Sequence, residues 1–184
     1  MELDHRVYDA LDIAYYIVDK SIKTKRYINN YTLNFILYLI IEEYYRTTGY
    51  AIFYDVFVAK KFGPVVGTVY REFIANVHLI TLLFPGQRPK KPIHPDDQAL
   101  FDRVLYVVTE SDYFSVRDEL TKKGSAWSVA YEPCHYFCFN YIEHELIREC
   151  ALKKACSSIE ILEKNLKDKD SCRVLNNRRR VDYK

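Results

Sequence analysis

Cys134, His135 and Cys138, followed by His144 and Cys150, are the side chains whose chemistry would be most specific if they converged. Thiolates and imidazoles together hold zinc, but a structural zinc site takes two ligand pairs at short spacing, and Cys134 with Cys138 makes one loose pair. His144 and Cys150 lie six residues apart and fall on different faces of a helix. Buried free thiols are the expectation, with no metal and no cofactor.

A second candidate is the stretch KKFGPVVGTVYREF, residues 60–73, where a Gly-Pro pair divides aromatic and β-branched residues from an amphipathic run. A phosphate cradle needs consecutive backbone N–H groups and a terminal Lys-Ser/Thr, or spaced glycines. Pro64 removes one donor, and neither pattern is present. A strand-to-helix corner accounts for Gly63 and Pro64. It leaves Lys60, Lys61, Phe62, Tyr70 and Arg71 to face solvent or a partner.

Acid–base or nucleophilic catalysis finds no ordered set. The five histidines, at 5, 78, 94, 135 and 144, belong to no catalytic motif. Asp96-Asp97 suits the positive end of a helix dipole, and Glu42-Glu43 reads as a solvated patch on an outer helix face. The expectation is a protein that is not an enzyme. Arg178, Arg179 and Arg180 are basic enough to touch phosphates, although such a triplet beside Asp182 also reads as a solvated chain end.

The chain that must position these residues has 184 residues, with 17 tyrosines and 10 phenylalanines beside one tryptophan and one methionine, so aromatic rings supply much of its core and its surface. Tyrosine buries a ring while keeping a polar tip, which suits interfaces. Net charge is +2, with eight Lys/Arg against three Asp in residues 164–184, leaving the rest of the chain acidic. Nucleic-acid binding is therefore expected of the tail alone. Charges in MELDHRVYDA, the lack of a run near 18 apolar residues and an odd five cysteines indicate a soluble, cytoplasmic protein with no membrane partner.

Helical spacing of apolar residues marks 7–22, about 31–47 with Asn30 as cap, and a segment beginning at Pro95. Residues 51–62 read as two short strands, or as one strand and a bent arm. Pro64 is placed in the first turn of a third helix, with Val66, Val69 and Phe73 inward. Residues 84–95 form a proline-rich loop, and Ser115 with Asp118 suggests a capping box. From about Phe137 to Lys167 a single long helix is expected, then a frayed polar tail. The fold class is mainly α with a small β-hairpin or two short strands (α+β). A compact helical domain spans 1–132 and a C-terminal helical extension with a basic tail spans 133–184.

With these elements in place, the chain resembles the Panacea domain of SocA-like antitoxins, small proteins of bacterial and phage toxin–antitoxin pairs. The helix type "xIAxYIV" is matched by Ile13-Ala14-Tyr15-Tyr16-Ile17-Val18, and the next helix is echoed by the run from Ile28 to Tyr38. The passage "A-W-x-x-G-P-V-x-x-x-V-Y-x-x-F" corresponds to Ala59 through Phe73, and Leu120 through Trp127 is a partial match to a later block. The similarity covers roughly residues 7–132. Phe35 stands where the family has lysine and Lys60 where it has tryptophan, and the family's Thr-His pair is not reproduced near Lys122.

The resemblance implies an antitoxin that neutralises a partner toxin by direct protein–protein binding, with Tyr54, Phe62, Tyr70, Arg71 and Trp127 as candidate anchors and Lys60 and Lys61 beside them. The substituted positions and the extension suggest an alternative: a phage or mobile-element inhibitor that blocks a host defence effector with the same domain, as an anti-CRISPR protein would. Homodimer formation through the C-terminal segment is a further expectation.

Overall fold

The computed structural model describes residues 6–74, 89, 91–133 and 140–181, and gives residue 170 and residues 172–181 as backbone alone. Its helices are α1 (Ala10–Lys23), α2 (Asn30–Thr48), α3 (Gly67–Glu72), α4 (Pro95–Glu110), α5 (Tyr113–Thr121), α6 (Ala126–Ala130), α7 (His144–Lys153) and α8 (Ser158–Val181). Three short strands, β1 (Phe57–Lys60), β2 (Gly63–Val66) and β3 (Tyr141–Ile142), form an antiparallel sheet in the order β2-β1-β3. The expected mainly-α architecture with a small sheet is the one observed. Among the described residues no helix is long and apolar enough to cross a membrane.

Helix α2 is the axis of the molecule. Fourteen of its nineteen residues are buried, and it packs against α1, α3, α4, α5, α7, α8 and β2. A helix apolar on nearly all sides can be stable only when it is enclosed. The Asn29 side chain accepts from the Thr32 amide to cap its start, one residue before the expected cap, and Gly49 closes its end in the left-handed conformation.

Enclosure overturns the reading of Glu42-Glu43 as a solvated patch, since both residues are buried. Glu42 accepts from Lys154 Nζ at 2.7 Å and from the Ser158 amide at 3.1 Å. One turn further along, Arg46 donates to the carbonyls of Ala151 and Lys154 at 2.6 and 2.8 Å. Two polar residues of α2 thereby bind the end of α7 and the start of α8.

That elbow replaces the single helix expected over 137–167. Ser157 and Glu160 form a reciprocal capping box, with Ser157 N donating to Glu160 Oε2 at 2.7 Å and Glu160 N donating to Ser157 Oγ at 3.2 Å. A box of this kind satisfies orphan amides and starts a new helix despite an uninterrupted apolar period. The backbone of α8 remains helical to Val181 where fraying was expected, and no glycine or proline interrupts it. In α5 the cap is Asp112, whose side chain accepts from Phe114 N, rather than Ser115.

Helix α4 begins at Pro95, as the sequence suggests, capped by His94. Its Asp97 is buried, taking the Tyr8 hydroxyl at 2.7 Å and Arg6 Nε at 2.8 Å, and so ties the N-terminal arm to the helix start. In the 51–62 region Ala51, Ile52 and Phe53 form a buried arm, with Ile52 O accepting from Tyr8 N. Regular pairing starts only at Phe57, so of the two alternatives the one with a single strand and a bent arm describes 51–60.

Burial pushes the hydroxyls of Tyr8, Tyr15 and Tyr45 up to about 12. In the unfolded chain tyrosine ionises near pH 10, at about its ordinary value. Between about pH 10 and pH 12 the folded state therefore holds more protons, and stability falls as pH rises through that window. The urea midpoint is expected to decline there, and Tyr45→Phe to flatten part of the decline. A midpoint unchanged to about pH 12 would contradict the assignment.

Candidate interaction surface at the β1–β2 hairpin

Strands β1 and β2 pair in the register Phe57 with Val66, Val58 with Val65, Ala59 with Pro64 and Lys60 with Gly63, which leaves Lys61-Phe62 as a two-residue loop. Gly63 and Pro64 are therefore strand residues, and the expected placement of Pro64 in the first turn of a helix is corrected. Helix α3 starts three residues later, at Gly67. Proline is accommodated because β2 is an edge strand, where a missing N–H breaks no ladder.

Gly63 has φ +130°, and a Cβ there would lie 2.6 Å from Phe35 Cε1. Phe35, at the position where the resembled family has lysine, has its ring edge directly against Gly63. A two-stranded hairpin alone is marginal in water, and this one is held from α2 by amides. Asn34, fully buried, accepts from Val66 N at 2.8 Å and donates to Asn30 O at 2.8 Å. Asn30 in turn donates to Tyr70 O at 2.9 Å, which fixes α3.

Trp127 supports the loop as well. Its indole N–H donates to the Lys60 carbonyl at 2.9 Å, and its ring stacks on Tyr131 with centroids 4.4 Å apart. Its half-buried position makes it a buttress of the hairpin.

On this frame the side chains of β1 alternate. Phe57 and Ala59 point into the core, while Lys60 is exposed. Lys60 Nζ sits 4.3 Å from the centroid of the Tyr70 ring and Lys61 Nζ 5.6 Å from that of Phe62, both within cation–π range. Tyr31 lies edge-on to Phe62 at 5.8 Å and to Tyr70 at 5.7 Å, and burial pushes its hydroxyl above the ordinary tyrosine range. The aromatic chain continues from Tyr31 through Phe35 and Tyr113 to the exposed Phe114.

Beside the hairpin runs a groove of about 380 Å³ with Val56, Val58, Lys60, Tyr70, Arg71 and Tyr141 among its walls. Lys60, Lys61 and Arg71 are exposed and form no ion pair with a described residue, in contrast to the paired Arg6, Lys20, Arg26, Arg103 and Lys154. The face can offer positive charge and apolar rings to an acidic, partly apolar surface.

Lys60, Lys61, Phe62, Tyr70 and Arg71, with Trp127 behind them, are thus brought to one face. Tyr54 is not: it is exposed, with its ring 6.0 Å from that of His144. His144 is held by the Tyr45 hydroxyl and the Asp55 carbonyl, each at 3.0 Å. Of the candidate thiols and metal ligands, Cys134, His135 and Cys138 lie outside the described residues, and Cys150, expected to be buried, is half-buried. The side chains of Arg178, Arg179 and Arg180 also lie outside them. Tyr31, Tyr113 and Val56 were not foreseen as part of the face. Tyr31 carried a signal, standing one turn before Phe35 on the same helix.

Compared with protein-family models, with curated proteins and with solved structures, the chain finds no match.

Replacing Gly63 by alanine is expected to destabilise the chain by about 3 kcal/mol, combining left-handed strain with overlap on Phe35. Gly49, at φ +79° but with nothing within 4 Å of where a Cβ would stand, is expected to lose only about 1 kcal/mol on the same change. Equal losses for the two variants in urea denaturation would contradict the packing assigned to Phe35.

Proposed function

We propose that this chain is a binding protein that neutralises a partner protein by gripping it with the β1–β2 hairpin face, in the manner of the SocA-like antitoxins that its sequence resembles. The observation that carries the reading is the convergence of Lys60, Lys61 and Arg71, unpaired among the described residues, with exposed Phe62 on a hairpin held by α2 and Trp127. Arginine and aromatic anchors on a rigid support are the groups that dominate protein–protein interfaces, because little side-chain entropy is lost on binding.

Positive charge at the rim speeds encounter with an acidic partner and selects against basic ones. The rings exclude water once contact is made. A toxin covered over such a face loses access to its own target, so inhibition needs no chemistry from this chain. A defence inhibitor built on the same domain would use the same face, and the partner it captures separates the two readings.

The test is co-expression with the product of the adjacent reading frame in the source genome. Rescue of growth by the native chain is expected, with rescue lost in Lys60→Glu/Arg71→Glu and affinity weakened roughly 30-fold, corresponding to about 2 kcal/mol. Both substitutions sit on exposed positions, so circular dichroism should remain native. Undiminished rescue or affinity in that variant would remove the hairpin face from the function.

A further inference from the structure

Helix α8 changes character along its length. In its first turns it packs on α4, α5 and α2, with Ile159 and Leu162 buried and Leu166 half-buried. Packing ends there: Lys167, Asp168, Lys169 and Ser171 are all exposed. The helical backbone nevertheless runs on to Val181, roughly 22 Å beyond Leu166.

A helix turns by about 100° per residue, which places positions on its faces from the backbone alone. Leu162 and Leu166 lie within about 40° of one another on the side that meets the body, and the same line continues outward through positions 169, 173, 176 and 180, each within about 40° of Leu162. Those positions are Lys169, Arg173, Asn176 and Arg180. One stripe of α8 therefore passes from apolar to cationic where the helix leaves the body. The acidic residue of this outer stretch, Asp170, stands about 80° from the line. Of the arginine triplet, Arg180 joins the stripe and Arg178 falls on the opposite side.

Residues 169–181 carry five Lys/Arg against one Asp, a net +4 that, against +2 for the whole chain, leaves the remainder at −2. Their three apolar residues, Val174, Leu175 and Val181, are split between two sides about 100° apart. That is too little apolar surface for a membrane-lying helix or for a helix seated in an apolar groove, both of which need a continuous apolar face. A dense line of cations on a regular helix instead matches a regular line of phosphates. The B-form major groove, about 12 Å wide, admits a helix about 10–12 Å across, whereas the deep, narrow major groove of duplex RNA does not.

We propose that the outer half of α8 is a binding site for duplex DNA, entering the major groove with the face formed by Lys169, Arg173, Asn176 and Arg180. The three cations meet phosphates and guanine edges, and the Asn176 amide is of the type that pairs with adenine. The span from 169 to 180, roughly 16 Å, covers about five base pairs. The inference does not depend on the hairpin reading.

The experiment is fluorescence anisotropy of a labelled DNA duplex of about 20 base pairs titrated with the full chain between about 50 and 200 mM salt, beside an RNA duplex of the same sequence and anionic phospholipid vesicles. A micromolar Kd is expected for DNA, with a log–log salt slope near −3. The RNA duplex and the vesicles should bind at least about tenfold more weakly. Arg173→Gln/Arg180→Gln should weaken DNA binding at least tenfold and reduce the slope by about 2. Lys164→Gln/Lys167→Gln removes the same charge from exposed positions about 140–160° from the stripe, and should cost less than about threefold. Lys60→Glu/Arg71→Glu, on the hairpin, should leave DNA binding unchanged, and circular dichroism should be native in all three variants. The proposal is overturned if DNA does not bind, if RNA or vesicles bind as tightly, if the two α8 variants lose affinity equally, or if the hairpin variant abolishes binding.

Discussion

Asn30, Asn34, Glu42, Glu43 and Arg46 project from a helix that is enclosed by six other helices and a strand. A polar group buried without a partner costs about 1–3 kcal/mol, more when charged, so Asn30, Asn34, Glu42 and Arg46 each select the element that completes them. Asn34 takes the edge of β2, Asn30 takes α3, and Glu42 and Arg46 take the α7–α8 elbow. The apolar surface of α2 drives its neighbours onto it without direction. Its polar residues decide where along the helix each neighbour comes to rest.

The hairpin face follows from that selection. Its strands are four residues long and its loop two, too little to hold a fixed shape alone. With Asn34 on one strand, Phe35 under Gly63 and Trp127 on the Lys60 carbonyl, the loop becomes a stiff support for Lys61 and Phe62. Exposed cations on a stiff support lose less freedom on binding than the same residues on a mobile loop.

Much of the helical framework was legible in the sequence because the apolar period of 7–22, 31–47 and the segment after Pro95 depends on local spacing alone. Pro64 was misplaced because its fixed φ suits the first turn of a helix and an edge strand equally. Only the pairing of Ala59 with Pro64 and the bond from Asn34 separate the two. The Ser157–Glu160 box stood in the sequence too, but the apolar spacing ran across it without a break. Glu42-Glu43 read as solvated because adjacent carboxylates usually are, and nothing local announces the helices that close over them. For the face itself, Lys60, Lys61, Phe62, Tyr70 and Arg71 were visible as a cluster of types, whereas Tyr31 and Tyr113 belong to it through tertiary contacts.

The central claim is that one stiff hairpin face, rather than the α4–α8 side of the molecule, meets a protein partner. Amide hydrogen exchange of the full chain, alone and in complex with the product of the adjacent reading frame, tests it most directly. The account predicts new protection in the backbone of residues 58–71 and little change in α4 and α8. Protection confined to α4 and α8, with the hairpin amides exchanging as in the free chain, would contradict it.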